Sequence, residues 1–371
     1  MIDTESIKVA REMNKFILDN KDLFSATKTC ARVALMWSEI TANNYASSVA
    51  ESDFTEARGT GYTDRGDHRT ALFAVVDMLE RSHVQFDIID EYSIERGFLA
   101  NYDTLILPTV ACMSDSVANK IDQYIKDGGN VIGSFAVGMY DEKGEYLGKS
   151  KLEDAFGFEG VPTFEKILSA YVYKESDSPI LDCLYSKLIP APSLSLVWEV
   201  KDDVKVLMRS SHTKTSYYGV DENKEKYPAI WTRKHGKGNV YYLSGTYFES
   251  YIDARCNADY KNLFGAIIND VTKEVVVTDE AGLYEVVLRR QENRFILHIV
   301  NMTGAMMRPF EKLVPLINAK FKLNLSGFGI EKEKYNLRSI CTSKIENLKQ
   351  IGDEITFNLD KINDYEIIVI E

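Results

Sequence analysis

Four continuous apolar runs shape the first third of the chain: ARVALMW (31–37), VQFDIID (84–90), DTLILP (103–108) and NVIGSF (130–135). Runs without polar alternation suit strands buried on both faces of a parallel sheet. Segments of helical period separate them. HRTALFAVVDMLERSH (68–83) is one, and SDSVANKIDQYIKDGG (114–129) opens on a Ser-Asp cap signal and stops at Gly128 and Gly129. Strand and helix alternating at these lengths predict a doubly wound, flavodoxin-like α/β domain. Upstream, Ile7, Ala10, Met13, Phe16 and Ile17 recur at helical spacing, which predicts one amphipathic helix over 5–24, its apolar face packed on the rest of the chain.

Further along, 152–160 has the pattern of a short helix and turn. Strands are expected at 204–210, 228–234 and 239–245, the last two joined by His235-Gly236-Lys237-Gly238. A helix over 258–272 would close the domain, and 174–200 shows no decisive period. Past 275 the rhythm changes to short alternating strands at 283–290, 294–301, 320–325, 354–359 and 365–371, an antiparallel β-sandwich. The expected division is a linker helix (1–30), an α/β domain (31–274) and a β-sandwich (275–371), with no repeat and no low-complexity tether at the junction.

Composition narrows the function classes. With 371 residues, 45% of them hydrophobic, the chain has ample material for two or three cores. Its formal charge of −12 argues against duplex nucleic acid as a partner. No apolar run approaches the ~18 residues of a membrane span, and the charged start is unlike a secretory signal. Cys30, Cys112, Cys183, Cys256 and Cys341 lie 71 to 85 residues apart with no CxxC pair, which fits reduced thiols in a cytoplasmic protein. The histidines at 68, 83, 212, 235 and 298 show no HxH or HExxH spacing, so neither metal nor cofactor is expected.

Ligands of an open α/β sheet sit beyond the carboxyl ends of its strands. Those ends carry Ser38 and Glu39, Thr109 and Cys112, and Ser134 and Ala136, the candidate crevice. GNVIGSFAVGMY (129–140) has the shape of a nucleophile elbow, where class I glutamine amidotransferases place cysteine in a G-x-C-x-G context. The matching apex here is Ala136, which cannot attack a carbonyl, so no catalytic residue is assigned. Cys112 is either a buried small hydrophobe or the nucleophile of an unrecognised hydrolase or amidase. ARGTGYTDRGD (57–67) lacks the preceding strand of a dinucleotide fingerprint and is expected as a surface loop. Glu56 just before it, with Arg58, Tyr62, Asp64, Arg65 and Asp67 within it, are candidates for an interface. The 30 residues before the first strand leave no room for a (β/α)8 barrel.

The stretch from VALMWSEITANNYA to DGGNVIGSF, with HGKGNVYYLSG, RFILHIVNMTG and YEIIVIE after it, resembles the trimerisation domain of family 42 β-galactosidases. It also resembles the matching domain of glycoside hydrolases with α-amylase-like or fucosidase-like barrels. The resemblance runs in order over most of 31–371 and implies an amidotransferase-like, non-catalytic domain that supports oligomer contacts. The expectation is therefore an accessory region of a glycoside hydrolase, forming a homo-oligomer such as a trimer or meeting a catalytic barrel. A stand-alone carbohydrate-binding protein is the alternative, its warrant being 21 Tyr, 17 Phe and 3 Trp, of which Tyr241 and Tyr242 are expected as core and edge packing.

Overall fold

The computed structural model describes residues 5–45, 65–166, 171–211, 226–253, 257–278, 284–303 and 313–371. The chain forms two compact units. One comprises Arg32–Ser82 and Phe86–Lys273; the other comprises Met1–Ala31, His83–Gln85 and Glu274–Glu371. The segment expected as a linker, 1–30, thus falls within the C-terminal unit.

The first unit is mixed α/β. It opens with β1 (Val33–Met36), α1 (Glu39–Asn44), α2 (His68–Arg81), β2 (Phe86–Ile89), α3 (Glu91–Glu95), β3 (Thr104–Leu107), α4 (Asp115–Asp127) and β4 (Asn130–Ser134). It continues through α5 (Glu153–Phe156), β5 (Phe158–Lys166), β6 (Tyr171–Lys174), β7 (Leu188–Pro190), β8 (Leu194–Val200), β9 (Lys205–Ser211), β10 (Lys226–His235), β11 (Gly238–Leu243), α6 (Tyr247–Asp253) and α7 (Ala258–Val271). One nine-stranded sheet runs in the order β2-β1-β3-β4-β11-β10-β9-β6-β7. Strands β2 to β11 of that order are parallel, and the rest are antiparallel.

Three of the four apolar runs have buried centres, as a doubly covered strand requires. Val33, Ala34, Leu35 and Met36 are inaccessible, as are Leu105, Ile106, Leu107, Val131 and Ile132. The 84–90 run departs from the expectation: β2 is the edge strand, and Ile88 is 56% exposed. Helix α4 follows its sequence signals closely. Ser114 caps it by accepting from Val117 N, and Val117, Ala118, Ile121 and Ile125 face the core. Residues 174–200 show no single period because they hold two short strands of different allegiance. β7 edges the main sheet, while β8 leaves it to pair with β5.

The second unit is β-rich. Its five-stranded sheet orders Lys28–Thr29, Tyr284–Arg290, Phe295–Asn301, Tyr365–Ile370 and Leu337–Ser339, all antiparallel. A four-stranded sheet orders Val276–Thr278, Leu316–Asn324, Glu354–Ile362 and Ile345–Ile351. Alternate residues of both sheets meet in one core, among them Tyr284, Leu288, Leu297, Phe321 and Phe357. Glu366 is buried in this unit, its carboxylate accepting from the backbone N–H groups of Cys341, Thr342, Ser343 and Ile367.

The N-terminal helix is corrected in two respects. It breaks at Asn20 into Glu5–Asp19 and Lys21–Phe24, and its apolar face is largely open. Val9, Met13, Ile17 and Leu18 are exposed, while Leu23 joins a small cluster with Ile296, Ile367 and Val369. The break has a local cause: the Asn20 side chain donates to Phe16 O at 2.9 Å, and the Asn20 backbone carbonyl takes the Leu23 N–H. Among the described residues, no helix is long and apolar enough to cross a membrane.

Candidate functional site

In the first unit the strand order reverses between β1 and β3, so the crevice beyond their carboxyl ends is the place where such sheets bind ligands. His68, the first residue of α2, fills it. The Ser38 N–H, just after β1, donates to His68 Nε2 at 2.9 Å, and His68 Nδ1 lies 2.7 Å from Pro108 O, just after β3. An accepting Nε2 places the ring proton on Nδ1, so the imidazole is a neutral strut between two strand ends. Burial lowers its proton affinity. Trp37 packs beside the ring at 5.2 Å, with the Arg69 guanidinium over the indole.

Ser38 is itself buried and engaged. Its hydroxyl donates to Glu91 Oε1 at 2.6 Å, and it caps α1 by accepting from Thr41 N. Glu91 also takes the N–H groups of Glu39 and Ile40, so the carboxylate lies at the positive end of α1. Glu39 alone among the crevice candidates points to solvent.

The neighbouring crevice, between β3 and β4, is filled by Glu249 of α6. Its Oε1 accepts from Thr109 Oγ1 at 2.9 Å and from Asp67 N at 3.1 Å, while Oε2 is buried with no hydrogen-bond partner among the described residues. Ser134 Oγ accepts from Thr109 N at 2.9 Å and ties the two strand ends together. Gly66 sits so close that a Cβ there would lie 2.9 Å from Glu249 Oε1, Thr109 and Phe135 alike. Burial pushes the Glu249 carboxyl up to about 7.

The elbow expectation is corrected by one residue. The strained, left-handed position after β4 belongs to Phe135 (φ 49°), not to Ala136, and Thr109 after β3 has a matching φ of 48°. Both Phe135 and Ala136 are inaccessible, so the apex presents a phenyl ring to the core. Cys112 is also inaccessible. Thr41 Oγ1 bridges its backbone N–H and carbonyl, and burial pushes its thiol up to about 11, the wrong direction for a thiolate nucleophile.

Of the candidate interface residues, Glu56, Arg58, Tyr62 and Asp64 lie outside the described residues, as do His212 and Cys256. Arg65 rests 5.7 and 5.8 Å from the rings of Tyr45 and Tyr140, and Asp67 caps α2 by accepting from Thr70 N. Tyr241 and Tyr242 are buried, bonded to Asp270 and to the Phe135 carbonyl, and offer no face to a sugar. Among the described residues no cluster of three or more His, Cys, Asp or Glu is placed to hold a metal.

Sequence reasoning misses His68, Glu91 and Glu249 as the groups that organise this end of the sheet. A signal for Glu249 exists: it is a lone acid inside the apolar stretch TYFESYI, and such acids are rarely buried without a partner.

With this geometry in view, comparison with known proteins adds the lineage. The model of the ThuA family, described as trehalose utilisation, matches residues 55–258, more than half of the chain. The chain belongs to that family. β-Galactosidase LacZ of Lactobacillus acidophilus is 21% identical to this ThuA-family chain over 309 residues, which cover 81% of it and 40% of LacZ. β-Galactosidase LacA of the same species is 20% identical, and 39% of it is covered. The chain thus spans about two fifths of the length of these curated relatives.

Among solved structures, α-L-fucosidase isoenzyme 2 from Paenibacillus thiaminolyticus matches 100% of the ThuA-family chain with 53% of its own. The TM-score is 0.70 at 16% identity. A β-galactosidase from Bacillus circulans sp. alkalophilus matches 99% of the chain with 45% of its own, at a TM-score of 0.63 and 15% identity.

Proposed function

We propose that this chain is a non-catalytic accessory and oligomerisation region of a glycoside hydrolase system acting on carbohydrate, comparable to the trimerisation domain of family 42 β-galactosidases. One observation carries the reading. The fold is found whole within about half of a fucosidase and a β-galactosidase chain, while the end of its sheet that would bind a ligand is filled by its own His68 and Glu249.

Within this reading the α/β unit is flavodoxin-like and amidotransferase-like, supported by the β2-β1-β3-β4 parallel order, and the C-terminal unit is a β-sandwich. The elbow supplies a phenyl ring where an amidotransferase supplies a thiolate. The system's sugar chemistry then belongs to a catalytic barrel, either a partner or part of a longer whole. Cys112, Cys183 and Cys341 are free thiols, which supports a reducing, cytoplasmic setting.

The test is turnover by the purified chain. Chromogenic β-galactosides and α-L-fucosides are expected to release no more product than a protein-free blank. Hydrolysis that survives purification and is abolished by a single substitution in this chain would overturn the proposal.

A further inference from the structure

We propose that Glu249 is a pH-sensitive latch: its protonated carboxyl holds residues 65–67 against the end of β3, and its ionisation releases them. The inference is independent of the accessory reading and rests on how three segments converge on one side chain. Helix α6 supplies the carboxyl, β3 ends in the Thr109 hydroxyl that donates to Oε1, and Asp67 donates its backbone N–H to the same oxygen. Gly66 between them allows the close approach that brings this N–H within reach. The second oxygen, Oε2, is buried without a hydrogen-bond partner among the described residues.

A carboxyl so placed tolerates its neutral form far better than its charge. Its own backbone N–H, the Thr109 hydroxyl and the Asp67 N–H all favour the charged form, but burial outweighs them. Among the described residues, the surrounding groups do not supply the missing charge. Asp67, before α2, adds a like charge, and Arg65 is held over the rings of Tyr45 and Tyr140. From α2, His68 is committed to Ser38 and Pro108, and Asp77 to Arg81 and Tyr251.

Tyr45, at the end of α1, has its phenol pushed well up by burial and stays neutral. Thr109, Ser134 and Phe135 do not titrate, and the Cys112 thiol is pushed up to about 11. On α6 and α7, the phenols of Tyr247 and Tyr260 are raised by burial and also stay neutral. Ionisation of Glu249 is therefore relieved only when water reaches Oε2, which requires the 65–67 segment or α6 to move away. The carboxyl proton is lost near neutrality, so the latch operates within the physiological range.

Hydrogen exchange measured by mass spectrometry on the full chain tests this. Protection of a peptide over 65–72, corrected for intrinsic exchange, is expected to fall about tenfold between roughly pH 6 and pH 8, most of it below about pH 7, because ionisation favours release only while the held carboxyl still keeps its proton. A peptide over β1 should stay protected at both. Glu249→Gln, which cannot ionise, should remove the fall. Protection that does not change with pH in the wild type, a fall that persists in Glu249→Gln, or exchange rising together over the whole chain would each overturn the latch. Thr109→Val gives a second arm should Glu249→Gln fail to fold. Loss of the Thr109 donor, which holds the carboxyl's proton affinity down, should move the midpoint to higher pH, and an unmoved midpoint would also overturn the proposal.

Discussion

His68 shows how much one side chain can hold in place when both of its nitrogens are committed. Protonation would put a second N–H on Nε2, directly facing the Ser38 N–H it now accepts. Its folded-state proton affinity is lowered, chiefly by burial, so the unfolded chain binds the proton first. The strut's stabilisation is thus complete above the ordinary histidine value of 6.5 and is lost as pH falls through the lower folded value. Glu249 has the opposite sign: as an acid with a raised folded value, it makes stability decline as pH climbs from 4.5 toward about 7. Replacing His68 by Ala leaves the Ser38 N–H buried and unpaired, a cost of about 1–3 kcal/mol. Denaturant titrations at neutral and mildly acidic pH should show that loss at neutrality, together with a flatter acid limb in the variant. An unchanged midpoint would mean that water replaces the imidazole without penalty.

At the level of elements, packing intolerance concentrates where the β10–β11 hairpin meets α4. A Cβ on Gly238 would lie 1.9 Å from Gly129 O and 2.6 Å from Ile125 O. Both obstacles are backbone and cannot swing aside. Gly238→Ala should therefore cost more than the ~1–3 kcal/mol of ordinary overpacking, read as a large drop in Tm or in soluble yield. A wild-type Tm in the variant would show that the hairpin can reseat.

The central strands of the same sheet are legible in the sequence because uninterrupted apolar runs such as VALM and TLIL have few alternatives to a doubly buried strand. Others are not, for physical reasons. FDII carries the apolar signature of its neighbours, yet it lies at the sheet edge, and position within a sheet is decided by connection geometry, not by local pattern. Ile345–Ile351 escapes because its side chains are mostly exposed, so no alternation marks it. The elbow is visible as a shape, but its strained residue is displaced by one because strain comes at the last hydrogen bond of β4, from Phe135 N to Leu243 O. The filled crevices leave no local pattern, since His68 lies 30 residues from Ser38 and Glu249 lies 140 residues from Thr109.

For the molecule as a whole, the accessory reading carries a prediction about mass. Light scattering should report a species heavier than the 42.1 kDa chain as concentration rises, with each contact of ordinary size burying roughly 1,200–2,000 Å². A mass fixed at one chain up to high concentration would count against self-association and turn attention to a separate barrel partner. The charge of −12 sets the conditions: association between like-charged copies should strengthen with salt, whereas an attractive electrostatic docking would weaken.

The interleaving of the two units along the chain has a consequence for how the protein is made. The short strand Lys28–Thr29 pairs with Tyr284–Arg290, and the strand next to the far edge of that sheet is Tyr365–Ile370. Everything from Arg32 to Lys273, apart from His83–Gln85, folds as the other unit. On a translating ribosome adding about 5–20 residues per second, the amino-terminal segment therefore waits roughly 10–50 s for its partner to emerge. Through that interval the α/β unit can complete itself, while the five-stranded sheet that takes up the segment ahead of it has yet to be synthesised.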